Sequence, residues 1–129
     1  MPASPRLPVI LIVDDDLTIL EIAAETLADS GFQVYTADNG ATALSLFQEK
    51  KELIDLVLLD WAMPGLDGFE VFAAMRQLAA TIPVIFSSGF SSLNLVKKFQ
   101  ASPPQPAFLQ KPYQLQELVK LARKMTGQP

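Results

Sequence analysis

The chain of 129 residues contains no cysteine and no histidine. Without cysteine it can build neither a disulfide framework nor a thiolate metal site. Without histidine it can supply no imidazole ligand, no imidazole base and no phosphohistidine. Long apolar runs are missing too, since none approaches the roughly 18 residues of a membrane span. Val9–Val13 is too short for a signal sequence and runs into three aspartates instead of a cleavage site. No membrane insertion is therefore expected, and the cytoplasm is the expected compartment. Basic runs stop at Lys50-Lys51 and Lys97-Lys98, and the net charge is −4, which argues against direct nucleic-acid binding by this chain.

What remains is a globular composition. Half of the residues are hydrophobic and 19% are charged, which excludes a disordered polymer and suits one domain with a proper core. Residues 1–8 carry Pro2, Pro5 and Pro8 and read as a tail or linker; 9–126 read as the folded domain and 127–129 as a second tail. Within the domain, short β-favouring apolar runs alternate with helical spacing. Strands are expected at Val9–Val13, Phe32–Thr36, Leu53–Leu59, Val84–Ser87 and Ala107–Gln110. Helices are expected from Leu17 to a C-terminal stop at Gly31, after Asn39-Gly40, over Phe69–Leu78, over Leu93–Phe99, and from Leu115 to Met125. Five strands alternating with five helices predict an α/β fold, a single doubly wound parallel sheet with right-handed crossovers.

Parallel strands end on one side, so their last residues meet. Here the first strand delivers Asp14, Asp15 and Asp16, the third Asp60, the fourth Ser88 and the fifth Lys111. Taken singly, each has an ordinary explanation. One of the three aspartates suits a helix N-cap, Ser88 suits a turn, and Lys111-Pro112 suits a surface turn. Taken jointly, four strands would have to bring this chemistry to one edge by accident. Clustered carboxylates repel unless a cation joins them, and an all-oxygen donor set selects a hard, small ion, Mg²⁺ before Ca²⁺. An ammonium and a hydroxyl at the same edge are what phosphoryl oxygens need.

These residues resemble the receiver domain of two-component response regulators, over nearly the whole chain from Val9 to about Met125. I-L-I-V-D-D-D resembles the family's acidic opening, D-W-A-M-P-G-L-D-G its phosphoacceptor loop, P-V-I-F-S-S-G its fourth strand and F-L-Q-K-P-Y its fifth. The resemblance implies a flavodoxin-like strand order 2-1-3-4-5 and Asp60 as the nucleophile. It implies a Mg²⁺ shell of Asp14, Asp15, Asp60 and the backbone carbonyl of Ala62. Lys111 would be the phosphate-binding cation, Ser88 the switch hydroxyl, Phe108 the switch aromatic and Lys111–Pro112 a cis bond. It also implies a histidine kinase or histidine phosphotransfer protein as partner, because the donor histidine must lie outside this chain. Such a domain catalyses its own aspartyl phosphorylation and dephosphorylation without being a conventional enzyme. The S-S-G-F and F-L-Q-K-P-Y forms look similar to the C-terminal receivers of hybrid sensor kinases. In receivers, side chains two residues beyond the acceptor and two beyond the hydroxyl residue hold the hydrolytic water; here they are Ala62 and Phe90, which implies a long-lived phosphoryl group. Ser102-Pro103-Pro104-Gln105-Pro106 departs from the family's Ala-Gly pair and implies a short or irregular fourth helix, which leaves the oligomeric state open.

Two other readings compete. Asp14-x-Asp16-x-Thr18 after an apolar strand fits the opening of haloacid-dehalogenase-like phosphatases, although Asp60 and its loop are then unexplained. A pseudo-receiver, a binding module that never takes phosphate, would usually lack an acidic residue or the lysine, and none is missing here.

Overall fold

Five short apolar segments pair into one parallel sheet in the computed structural model, which describes residues 6–89 and 103–128. They are β1 (Val9–Val13), β2 (Gln33–Ala37), β3 (Ile54–Asp60), β4 (Val84–Ser88) and β5 (Ala107–Gln110), in the order β2-β1-β3-β4-β5. The expected strand order is thus the observed one. Helices α1 (Leu17–Asp29) and α4 (Leu115–Met125) cover one face, and α2 (Gly40–Lys50) and α3 (Gly68–Leu78) cover the other. Alternation along the strands divides the core accordingly. Leu11, Val13, Val57, Leu59 and Phe86 pack towards α2 and α3, while Ile10, Ile12, Leu58 and Ile85 pack towards α1 and α4. Among the described residues, no helix is long and apolar enough to cross a membrane. The helix expected over Leu93–Phe99 and the position of Phe90 lie outside the described residues, as does the start of the N-terminal tail.

Several boundaries move by a residue, each for a visible reason. Gly31 has φ +98° and closes α1: its N–H reaches the Ala28 carbonyl at 3.3 Å, and Phe32 N–H reaches Leu27 at 3.1 Å. Phe32 therefore belongs to the helix stop, and β2 starts at Gln33 instead of Phe32. Leu53 donates its N–H to the Lys50 carbonyl at 2.8 Å in the turn after α2, so β3 starts at Ile54 and runs through Asp60. Asp67 caps α3 by accepting from Glu70 N–H at 2.9 Å, so that helix begins at Gly68, one residue before Phe69. Gly127, at φ +74°, ends α4 as Gly31 ends α1, with Gln128 N–H on the Arg123 carbonyl at 2.7 Å.

The sheet's other edge is held by Asp55. The pairing of β1 with β3 slips there: Val9 faces Ile54 while Ile10 faces Leu56, leaving Asp55 as the extra residue of a bulge. Its carboxylate accepts from Val9 N–H at 2.8 Å and takes the Arg6 guanidinium in a fork at 2.9 and 3.0 Å. This bracket docks the segment before β1 onto the start of β3.

Candidate functional site

The site is assembled where β1, β3, β4 and β5 end. β1 runs into Asp14, which is 2% exposed, and β3 ends at Asp60, which is 3% exposed. The three consecutive aspartates divide their work. Asp16 turns outward and caps α1, accepting from Thr18 and Ile19 N–H at 3.0 and 3.2 Å. Asp14 turns inward, and its Oδ1 accepts from Asp16 N–H at 2.9 Å. Asp15 is exposed beside them. One oxygen each from Asp14, Asp15 and Asp60 lies within 4.8 Å of the others.

Lys111 follows β5 and points into this cluster. Its Nζ lies 2.8 Å from Asp14 Oδ2 and 3.3 Å from Asp60 Oδ2. The Lys111 N–H donates to the Ser88 carbonyl at 2.7 Å, which ties the residue to the end of β4, and the Lys111–Pro112 peptide bond is cis. Ser88 closes β4 and is buried, with Ser87 buried beside it and paired in register with Asp60. Ala62 is exposed on the loop after Asp60 and donates its N–H to Asp60 Oδ1 at 3.3 Å. Phe108 is half-buried on β5, stacked on Phe86 with centroids 5.7 Å apart. Every described residue named from the sequence as a site candidate except Asp16 and Phe108 therefore stands at this edge; Asp16 is a cap, and Phe108 lies within β5.

Burial and like charge strain the cluster. Asp60 is pushed up from 3.8 to about 7, first by burial and then by the charge of Asp14, with Lys111 pulling the other way. Burial pulls the Lys111 ammonium down, but the hydrogen bond to Asp14 and the charges of Asp60 and Asp14 outweigh it, and the net shift is upward. One cation thus compensates two buried carboxylates incompletely, and a third carboxylate stands exposed beside them. A hard divalent ion suits that donor set, because every side-chain donor offered is a carboxylate oxygen.

The loop after Asp60 is pinned by a close approach. Gly68 N–H donates to the Trp61 carbonyl at 2.9 Å, and a Cβ at Gly68 would run into the Asp60 carbonyl and lie 2.7 Å from Trp61 Cα. Only glycine lets α3 start this close to the end of β3. Gly65, at φ +81°, makes the turn between them.

Two features are absent from the reading of the sequence. Tyr113, next after Lys111-Pro112, has its phenol pushed up to about 12 by burial and then by the charges of Asp14 and Asp60. Its place beside the lysine was the available signal. Trp61 packs edge-on against Phe86 at 5.1 Å and Phe69 at 6.3 Å, so a row of rings leads from the neighbour of Asp60 to Phe108. That row arises from strand register, which local spacing does not reveal.

Comparison with known proteins agrees with the geometry. The chain is 34% identical over 116 residues to the uncharacterized transcriptional regulatory protein YbdJ of Bacillus subtilis, an alignment covering 90% of this chain and 49% of that protein. It is 37% identical over 89 residues to sporulation initiation phosphotransferase F of the same organism, covering 69% of this chain and 70% of the relative. The crystal structure of the receiver domain from the hybrid histidine kinase CckA superposes with a TM-score of 0.79 at 30% identity, covering 92% of this chain and 98% of that one. The chain thus spans about half the length of the first relative. The family model for the response regulator receiver domain matches residues 10–123, which takes in every strand residue but Val9 and the whole acidic edge. The chain belongs to the response regulator receiver family, the phosphoacceptor domains of two-component signalling.

Proposed function

We propose that Asp60 is the phosphoacceptor and that the donor is a phosphohistidine on a histidine kinase or histidine phosphotransfer protein. One observation carries this reading: the buried Asp60 carboxylate shares Lys111 with Asp14, at 3.3 and 2.8 Å, at the carboxyl edge of the sheet. In the transfer, a bond forms from an Asp60 oxygen to phosphorus as the bond from phosphorus to the donor imidazole nitrogen breaks. A carboxylate is a weak nucleophile, so the rate must come from placement and charge neutralisation. Mg²⁺ would be held by Asp14, Asp15, Asp60 and the backbone carbonyl of Ala62, and when bound it supplies positive charge against the phosphoryl oxygens. Lys111 supplies the second positive charge. Ser88 offers a hydroxyl to the new aspartyl phosphate, and Phe108 repacks as the edge tightens, a local change read out at the surface.

A receiver domain is not a conventional enzyme; in this reading it catalyses only its own phosphorylation and dephosphorylation, in the cytoplasm. The outward-turned Asp16 cap weighs against the phosphatase reading, which needs that carboxylate in the site. The likeness to a hybrid-kinase receiver supports a setting within a longer sensor kinase, which the full-length reading frame would decide.

The test is intact mass after incubation with a small phosphoryl donor and Mg²⁺. The chain should gain one phosphoryl group, and Asp60→Asn should gain none. Normal labelling of Asp60→Asn together with loss of labelling in Asp14→Asn would overturn the assignment.

A further inference from the structure

Gly40 opens α2 at a buried position, twenty residues before Asp60 in the chain, and nothing in the chemistry above uses it. The left-handed glycines among the described residues are Gly31, Gly65 and Gly127, so the usual conformational reason for glycine is missing at Gly40. Helix propensity argues against glycine there as well. What glycine supplies is room. A Cβ at Gly40 would lie 2.8 Å from Leu66 Cβ, 2.8 Å from Val71 Cγ2 and 3.1 Å from the Leu66 carbonyl oxygen. Leu66 belongs to the loop that joins Asp60 to α3, and Val71 to α3 itself. The first residue of α2 therefore meets the loop after Asp60 with bare backbone.

Of the parts that meet here, the loop is the one that can yield. The start of α2 is held by its Asn39 cap, which accepts from Thr42 N–H at 2.8 Å, and by Ala43 and Phe47, which are fully buried. Just before it, the Ala37 carbonyl accepts from Asp14 N–H at 3.2 Å, so the same segment is tied to the end of β1. Val71 is fully buried too, whereas Leu66 is half-buried between strand and helix. The loop has little slack in which to absorb a shift. Ala62 N–H holds Asp60 Oδ1 at 3.3 Å, and Gly68 N–H holds the Trp61 carbonyl at 2.9 Å. A methyl at Gly40 would have to open its contact with Leu66 from 2.8 Å to at least 3.4 Å. That exceeds the roughly 0.5 Å within which a binding constellation stays productive.

We propose that Gly40 is a positioning residue for the acidic edge. By giving Leu66 a bare backbone to rest on, it holds the loop after Asp60 at the height where the Ala62 carbonyl joins Asp14, Asp15 and Asp60 around Mg²⁺. Gly40 touches neither the ion nor the phosphoryl group and acts through Leu66. It also joins the two halves of the edge, because its own segment is tied to β1 at Asp14 while the loop it supports leaves β3 at Asp60. The inference rests on the metal shell and the phosphoacceptor proposed above.

Mg²⁺ titration of the whole chain, followed by the NMR shifts of the Trp61 and Ala62 amides, gives the dissociation constant that tests it. Gly40→Ala should raise that constant by about tenfold, the loss typical of removing a support behind a metal ligand. Leu27→Ala, in the core on the other side of the sheet, serves as the control. It should cost at least as much stability in urea and yet bind Mg²⁺ like the wild type, since a cavity there leaves the loop alone. A Gly40→Ala chain with the wild-type constant would overturn the proposal. So would an equal loss of affinity in Leu27→Ala, because instability alone would then account for both. A wild-type chain that ignores Mg²⁺, or normal labelling of Asp60→Asn, would instead bring down the metal and phosphoacceptor assignments, and this inference with them. Should Gly40→Ala fail to fold, the wild-type titration decides. Mg²⁺ saturation should shift the Gly40 and Leu66 amides together with that of Ala62, and a Gly40 amide that stays put sinks the idea.

Discussion

Replacing Asp60 with asparagine should make the metal-free protein more stable, and more so as pH rises. Asp60 titrates at about 7 in the fold and at its ordinary 3.8 in the unfolded chain. A carboxyl whose folded value is raised binds more protons folded than unfolded, so it opposes folding wherever the unfolded chain has already ionised it. That opposition is absent below about pH 4, grows through the interval up to about 7, and is complete above, at about 4 kcal/mol. Asparagine removes the charge but must place an amide where only 3% of the residue is exposed, which returns about 1–2 kcal/mol. Asp14 keeps Lys111 at 2.8 Å, so the lysine is not stranded. The expected net gain above pH 7 is about 2 kcal/mol, or about 8 °C in melting temperature for a domain of this size. Urea and thermal unfolding with a chelator present, from about pH 5 to about pH 8, measure it. The gap between variant and wild type should widen with pH and then level off. A variant less stable than wild type at every pH, or a gap that does not depend on pH, would falsify the account of strain at this edge.

Three further expectations concern the metal, the loop after Asp60 and the life of the phosphorylated form. Mg²⁺ should raise the melting temperature of the wild-type chain, and Asp14→Asn with Asp15→Asn should remove that response; calorimetry with and without Mg²⁺ checks it. Gly68→Ala should cost about 2–4 kcal/mol in urea unfolding, because the added methyl meets backbone atoms of Asp60 and Trp61 that cannot swing aside. A stability within error of wild type would show that α3 can retreat freely. Ala62→Asn or Phe90→Glu should shorten the life of the phosphorylated form several-fold, by giving a hydrolytic water a polar side chain to hold. Decay followed by intact mass in Mg²⁺ buffer reads this directly, and unchanged rates in both variants would rule those positions out.

The central strands were legible in the chain because they are buried on both faces and read as unbroken apolar runs, and Val9–Val13 kept its expected bounds for that reason. Ala107–Gln110 is a partly exposed edge strand, and it kept its bounds because Pro106 precedes it and Lys111-Pro112 follows it. Phe32 misled because an aromatic at a strand's mouth looks like strand, whereas here its N–H was needed to close α1. Asp60, Lys111 and the aspartate triplet stood out because charge at the end of an apolar run is conspicuous. Which of the three aspartates turns outward depends on the path from β1 into α1, and spacing alone does not set it. The Asp55 bulge joins residues far apart in sequence, so it leaves no local mark.

Trp61 has a use beyond packing. It is the only tryptophan in the chain, it is the peptide neighbour of Asp60, and its ring rests on Phe86, which in turn stacks on Phe108. Ultraviolet excitation at the red edge would therefore address a single fluorophore, seated between the acidic edge and the ring row. Its emission should respond to cation binding at Asp14, Asp15 and Asp60, and to any movement of Phe86 or Phe108. The protein thus carries an optical probe in its own sequence, and both equilibria can be titrated without attaching a dye.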